Sequence, residues 1–326
     1  MESKPLAIIY SDLHLNIWPK FNEGNQRLHN GLDVIERITK KAQELRIPKI
    51  FLGDIIHKEE SVSNELLSDL LPQLKKYFGT KYGEKTLAIS GNHDQSTNNF
   101  FDDESTSYIK TLSNTFENFE CIDFTGFKLG DYHFHGVPYI TNDIGLIDYI
   151  KGLGRDYKSK KNVLLLHTTL PTARDTDNRE IHSNLEKNKF LKATKRFDLV
   201  LSGHIHKPEE IIKKYMYSIG APQQQRATDR DCDMGYWILY EDLKMEFVHL
   251  DHYPIFKYYT KKPKDDGNFW IKKPKKKKRK VSISLDIKGD ISSSKIHRVA
   301  RKYCKSKNIK DKTKILALRK TLKDAI

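Results

Sequence analysis

The sequence predicts an α/β chain with a layered core, and three observations carry that reading. Short apolar runs alternate with segments of helical periodicity, a hairpin-like stretch interrupts them midway, and both patterns fade after about residue 250. Near-continuous apolar strands interleaved with helices are what a sheet covered by helices requires. Leu6–Tyr10 (LAIIY) reads as the first buried strand. Residues 31–46 follow helical spacing, with Leu32, Ile35, Ile38, Ala42 and Leu45 on one face, and Pro48 stops that helix before the strand Lys49–Leu52. Residues 63–78 read as a second helix, kinked or split at Pro72, which lacks a backbone donor. Thr86–Ser90, Val163–Leu166 and Leu199–Leu201 complete the set of short buried strands, and residues 119–139 read as hairpin strands turning at Gly126, Gly130 and Gly136.

With 326 residues the chain has room for one large domain and a smaller appendage. Hydrophobic content of 37% against 31% charged means that much of it is solvated surface. No run approaches the roughly 20 apolar residues that span a bilayer, so no membrane partner is expected. The N-terminus enters a strand at once and lacks a signal-peptide layout. Cys121, Cys232 and Cys304 are odd in number and far apart, which fits neither a disulfide framework nor a thiolate metal site. A reducing, intracellular setting is therefore expected.

The net charge of +15 is unevenly placed. Residues 251–326 hold 25 Lys and Arg against 7 Asp and Glu, a net of +18, whereas residues 1–250 hold 33 against 36, a net of −3. A positive field concentrated in the last quarter points to a polyanionic partner. The expected organisation is an α/β domain over 1–250, a basic linker over 251–280 and a small appendage over 281–326. In the appendage Val281–Ile287 alternates like a strand, and a basic helix is expected from Ser293 to about Ser306.

The residues immediately after each apolar strand carry the chemistry. LAIIY leads into Ser11-Asp12-Leu13-His14, the second strand into Gly53-Asp54-Ile55-Ile56-His57, and the third into Gly91-Asn92-His93-Asp94. The fourth ends at His167 and the fifth runs into Ser202-Gly203-His204-Ile205-His206. Singly these are ordinary: Gly-Asp is a common turn, Asn-His-Asp a common cap, and a lone buried His is usually a satisfied core residue. Together they deliver Asp, Asn or His at the carboxyl end of every strand, the edge where α/β sheets form ligand crevices. Carboxylate and amide oxygens mixed with imidazoles, without Cys, suit Mn, Fe or Zn, and the set has more nitrogen than Mg prefers. His133 and His135 form another His-x-His, but mid-strand, and read as alternating strand positions.

This ordered series, D-x-H, G-D-x-x-H, G-N-H-D, a lone His and G-H-x-H over residues 5–245, resembles the calcineurin-like metallophosphoesterase superfamily. Within it the nearest branch is the Mre11/SbcD-like nucleases, including phage SbcD-like exonuclease subunits. The branch rests on His57, where protein phosphatases carry D-R-G after the Gly-Asp, and on Ser218-Ile219-Gly220-Ala221-Pro222 after the last motif. The sequence departs from the pattern at Leu15 and Asn16, where Gly is common, so the first loop is expected to differ. The resemblance implies a four-layer α-β-β-α sandwich with a small capping-type appendage. It also implies two divalent cations, Mn²⁺ first, with Mg²⁺, Fe²⁺ or Zn²⁺ as alternatives. Asp12, His14 and His206 would hold one; Asn92, His167 and His204 the other; Asp54 would bridge them. His93 would be the general acid, Asp94 would orient it, and His57 would position the phosphate or serve as a structural hydrogen-bonder. The implied activity is exonucleolytic hydrolysis of DNA, with endonucleolytic cleavage left open, in DNA repair or recombination. A Rad50/SbcC-like ATPase partner is implied by resemblance alone, since the chain has no G-x-x-x-x-G-K-[ST] loop of its own. A homodimer is left open, and the setting implied is the cytoplasm of a bacterium or a phage-infected cell.

Two rival readings keep part of this. A phosphatase or cyclic-nucleotide phosphodiesterase would use the same metals, but the missing D-R-G and the basic appendage argue against it. A non-catalytic DNA-tethering subunit would be expected to have lost ligands that are all present here. The run Lys275, Lys276, Lys277, Lys278, Arg279 and Lys280 reads as a DNA-contacting loop, with nuclear import and a plain solvated linker as alternatives. Replacing these six residues with Gln is expected to weaken DNA binding at low salt. It should flatten the slope of log K against log salt by up to about 5, at roughly 0.9 per phosphate contact, and leave hydrolysis of a small phosphodiester unchanged. An unchanged slope would show that the run does not meet DNA.

Overall fold

Two six-stranded sheets form the centre of the fold, each covered on its outer side by helices. The computed structural model describes residues 3–18, 25–57, 62–79, 84–95, 107–154, 159–226, 228–229 and 232–251, with the backbone of 256–259 and 269–272. In the first sheet β1 (Pro5–Tyr10), β2 (Lys49–Phe51), β3 (Thr86–Ala88) and β4 (Phe119–Cys121) are parallel neighbours. In the second, β5 (Gly126–Leu129) pairs antiparallel with β6 (Tyr132–Val137), and β6, β7 (Lys161–His167) and β8 (Leu199–Gly203) run parallel. Beyond β8 come β10 (Met216–Ser218) and, antiparallel to it, β9 (Glu209–Ile212). The first sheet is completed beside β1 by antiparallel β11 (Gly235–Tyr240) and β12 (Met245–His249).

Strand periodicity builds the layers. Along β1, Ala7 and Ile9 join Val163, Leu165, Leu199 and Leu201 in the core between the sheets. Ile8 and Tyr10 face outward against α1 (Gln26–Leu45), α2 (Asn64–Phe78) and α3 (Tyr108–Thr115). On the far side Leu164, Leu166 and Val200 pack with α4 (Asp143–Gly152) and α5 (Lys187–Thr194). The result is the α-β-β-α sandwich expected. Both faces of the central strands are apolar because each meets a different core.

The elements depart from expectation in particular places. Pro72 neither splits nor ends α2, which runs through it from an N-cap where Ser63 accepts the Leu66 N–H. Pro72 is exposed, while Leu66, Leu70, Leu74, Tyr77 and Phe78 bury the opposite stripe, and that packing outweighs one missing hydrogen bond. Residues 119–139 are divided between sheets: β4 extends the first, and only β5 and β6 form a hairpin, turning at Gly130 with φ 57°. In the span read as linker, β13 (Phe256–Tyr259) and β14 (Phe269–Lys272) pair in parallel. The chain divides between Lys273 and Pro274 into two units. Lys275–Lys280, the strand expected over Val281–Ile287 and the helix expected from Ser293 lie outside the described residues. No helix among the described residues is long and apolar enough to cross a membrane.

One core residue makes the stability of this unit sensitive to pH. Lys49 on β2 is wholly buried, donating to Thr39 Oγ1 (2.9 Å) and the Tyr77 carbonyl (3.2 Å). Burial pushes its ammonium down to about 7, with Glu84 opposing. Above that value the folded chain has released a proton that the unfolded chain keeps, so folding becomes more favourable as pH rises from 7 towards 10. The buried imidazole of His167, held up at about 9, acts in the opposite direction over the same range, so the measurable quantity is a difference. Between pH 7 and pH 9 in chelator, the urea midpoint of the wild type should rise relative to that of Lys49→Met, and equal changes in both proteins would contradict this reading.

Candidate metal centre

The carboxyl ends of the parallel strands in both sheets deliver their motif loops to one place. The first two loops run side by side, Asp12 N–H donating to the Gly53 carbonyl (2.9 Å), His14 N–H to that of Asp54 (3.0 Å) and Leu15 N–H to that of Ile55 (2.9 Å). Leu15 is buried in this lacing, which is how the loop accommodates a large residue where Gly is common. Asp12, His14, Asp54 and His204 all have positive φ, between 46° and 88°. Such backbone is disfavoured for residues other than Gly and recurs at functional sites. Two motif glycines let the loops meet. A Cβ on Gly53, itself at φ 91°, would come within 2.6 Å of Gly91 N and His167 Nδ1, and one on Gly203 within 2.1 Å of Ser11 Oγ.

Two groups of potential ligands result. Asp12, His14 and His206 place donor atoms within 4.8 Å of one another, as do Asp54, His167 and His204. Asn92 Oδ1 lies 2.9 Å from His204 Nδ1, so the amide adjoins the second group. Asp54 Oδ2 stands 3.6 Å from His14 Nε2 and 3.3 Å from His167 Nε2, between the two groups. All the carboxylates and most of the imidazoles here are buried.

The electrostatics show a site short of positive charge. Burial opposes ionisation of Asp54, yet His167, His14 and His93 around it outweigh burial and hold its carboxyl well below the usual range. Burial works against His167 as a cation, but the Asp54 and Asp12 carboxylates push it up to about 9. Burial, then the neighbouring His167 charge, takes His204 down to about 3, and burial also depresses His14. Asp12 is raised, by burial first.

A divalent cation fits what these atoms lack. Asp12 Oδ1 and His167 Nε2 are buried without any hydrogen-bond partner, although such atoms are normally paired. His167 Nδ1 is 2.6 Å from the Leu52 carbonyl and keeps its proton there, while Nε2, 3.3 Å from Asp54 Oδ2, is the nitrogen whose proton a cation would replace. His14 and His206 bring their Nε2 atoms to 3.2 Å. Ring nitrogens held by backbone or carboxylate acceptors, with the other nitrogen turned inward, are the usual arrangement around a metal.

The model of the calcineurin-like phosphoesterase family matches residues 7–208, which include every one of these ligand candidates. The chain belongs to that family. Among solved structures, this phosphoesterase is similar to TT1561 of Thermus thermophilus (12% identity, TM-score 0.45, covering 76% of this chain and 99% of that one). A dimetal phosphatase from Danio rerio is similar at 11% identity and TM-score 0.45, over 74% of this chain and 94% of that one. A candidate 5′-nucleotidase from Staphylococcus aureus in complex with alpha-ketoglutarate matches at 17% identity and TM-score 0.45, over 80% of this chain but 56% of that one. Comparison with curated protein sequences returns no match. The family works with a dimetal centre, and the two ligand groups of the phosphoesterase are where one can form.

Around the groups the other motif residues take distinct positions. His57 Nδ1 lies 3.4 Å from His14 Nδ1, so His57 steadies the outward nitrogen of a ligand candidate. Burial and the nearby His93 take it down to about 4, which keeps it neutral. His93 Nδ1 is 2.6 Å from the His57 carbonyl and its N–H donates to Asp54 Oδ1 (2.9 Å). His93 also shares a third donor group with His14 and His57. Asp94 differs from its expected task of orienting His93. Its two oxygens accept backbone N–H bonds from Asp54 (2.6 Å), Ile55 (2.9 Å) and Gly91 (2.9 Å), so it clamps the second motif loop to the third. The rings of His133 and His135 lie 4.1 Å apart on β6, tilted by 36°, and neither joins a metal-capable group among the described residues.

Sequence reading missed Asp229. This buried carboxylate holds His206 Nδ1 at 3.2 Å through Oδ2, which also accepts the N–H groups of Gln225 (2.9 Å) and Arg226 (3.0 Å). Burial raises its pKa, but the His206 ring and those two donors overcome this and hold it below the usual range. Asp229→Ala is expected to weaken one of two Mn²⁺ sites by about 10- to 100-fold while sparing the other, with Asp229→Asn intermediate. Calorimetric titration with Mn²⁺ checks this, and two unchanged sites in Asp229→Ala would rule out the role.

Proposed function

We propose that this phosphoesterase is a metal-dependent DNA nuclease of the Mre11/SbcD-like branch, hydrolysing phosphodiester bonds. The observation that carries the reading is His57. The segment after Gly53-Asp54, where protein phosphatases hold an arginine, here presents an imidazole kept neutral by burial, 3.4 Å from His14 and stacked on His93 with centroids 5.2 Å apart. A phosphomonoester dianion calls for extra fixed positive charge beside the metals. A diester carries one charge fewer and needs less of that fixed charge, and its departing sugar oxygen can take a proton from the imidazole of His93. The basic last quarter of the sequence supports a polyanionic substrate.

In this reading Asp12, His14 and His206 hold one cation, Asn92, His167 and His204 the other, and Asp54 lies between. Two such cations supply an activated water at neutral pH and offset charge on the phosphate. The chain does the rest. Asp94, Ser11 and the motif glycines fix the loops, while Asp229 and His57 orient His206 and His14. His93, tethered by Nδ1 to the His57 carbonyl, protonates the leaving oxygen through Nε2. Mn²⁺ is the first candidate metal, and an SbcC-like ATPase and a second copy of this chain are the proposed partners.

With Mn²⁺, the protein should hydrolyse bis-p-nitrophenyl phosphate and labelled linear DNA in preference to p-nitrophenyl phosphate. The reverse preference would establish the phosphatase reading. His93→Ala should lose about 10²–10⁴ in rate while keeping both metal equivalents and its DNA affinity. Loss of a metal equivalent in that variant would make His93 a ligand instead.

A further inference from the structure

Two aromatic side chains stand at the rim of the ligand groups, and neither belongs to a metal-binding motif. Trp18, half-buried, has its ring 4.3 Å from that of His57, and the Arg27 guanidinium lies 3.9 Å over its centroid. Arg27 is itself tied down, donating to the Gln225 carbonyl at 2.7 Å. Tyr139, also half-buried, follows Pro138 at the end of β6. Its ring is 5.7 Å from His204 at an interplanar angle of 31° and 6.3 Å from His167 at 77°. Its backbone is fixed at both ends to the loop bearing Asn92 and His93: its N–H donates to the Ser90 carbonyl (2.9 Å), and its carbonyl accepts from Gln95 Nε2 (3.1 Å).

Each ring thus adjoins a different ligand group, Trp18 through His57 and Tyr139 through His204 and His167. A core role explains neither well, since both keep exposed surface beside the most polar part of the molecule. A phosphodiester held between the groups carries one nucleoside on each side. Flat, pre-positioned aromatic rings at those places match the π-face that every base presents, and they discriminate little between bases. In a duplex those faces are already covered by neighbouring base pairs. Resting on the nuclease reading above, we infer that Trp18 and Tyr139 form base-stacking subsites on either side of the scissile phosphate. The substrate class is then unpaired DNA, as single strands or frayed ends.

The test compares thymidine 5′-(p-nitrophenyl phosphate) with methyl p-nitrophenyl phosphate, diesters with and without a base. The wild type should favour the thymidine ester in kcat/KM, chiefly through KM. The thymidine ester carries one base, so one of the two variants, Tyr139→Leu or Trp18→Leu, whichever ring receives that base, should cut the preference by about 5- to 150-fold, the worth of one stacked base, with the methyl ester nearly unaffected. Tyr139→Phe should retain the preference. Equal losses on both esters in the Leu variants, or no preference in the wild type, would overturn the inference and reduce the two rings to packing around the histidines. If the wild type hydrolyses neither diester but does hydrolyse p-nitrophenyl phosphate, the nuclease reading fails. The inference is then decided by binding: oligothymidylate must bind more tightly than an abasic strand of equal length, and equal affinities overturn it.

Discussion

Two buried carboxylates, Asp12 and Asp54, lie among His14, His167, His204 and His206, and Asp12 Oδ1 and His167 Nε2 are left without a hydrogen-bond partner. Burying ionised carboxylates is costly unless positive charge accompanies them. Here the only cationic compensation from the described residues is imidazole, and the rings cannot all be protonated side by side, as the opposite displacements of His167 and His204 show. The arrangement makes physical sense when divalent cations supply the missing charge. Much of the surrounding structure can be understood as holding those groups together against their tendency to take up water or separate.

That constraint explains local features that look unrelated along the chain. Positive φ at Asp12, His14, Asp54 and His204 turns each side chain sharply inward at a strand end. Asp94 spends both oxygens on backbone N–H groups, joining the Asp54 loop to the Gly91 turn, and Asp229 accepts the Gln225 and Arg226 N–H groups through Oδ2, the oxygen that also holds His206. Asp123 anchors Ser90 through both its N–H and its hydroxyl, just before Asn92. Three buried carboxylates outside the ligand set therefore act on its geometry from behind, and rigid support of this kind is what holds ligands at a metal.

The legibility of the site followed from where its residues stand. Asp12, Asp54, Asn92, His167 and His204 each end or immediately follow a run such as LAIIY or VLLL, so pattern and chemistry coincide in the sequence. What the sequence could not show was that the first three strands and the last two belong to different sheets, because parallel apolar strands read alike in either. Asp229 stood 23 residues beyond His206 in an irregular loop, with no period to mark it. Trp18 and Tyr139 acquire meaning only through neighbours distant in sequence, His57 and His204. Asp94 stood in a legible motif, but its bonds to Asp54 and Ile55 were not legible, since they cross 40 and 39 residues. Pro72 shows the converse, a local rule overridden by the buried stripe of α2.

Asp54 lies between the two ligand groups, 3.6 Å from His14 Nε2 and 3.3 Å from His167 Nε2, where both proposed cations would depend on it. Calorimetric titration of the full-length protein and of Asp54→Asn with Mn²⁺, with circular dichroism to show that the variant is folded, addresses this most directly. The wild type should bind two equivalents, and the variant should lose at least one, with marked weakening of any that remains. Two equivalents retained at wild-type affinity in Asp54→Asn would contradict it.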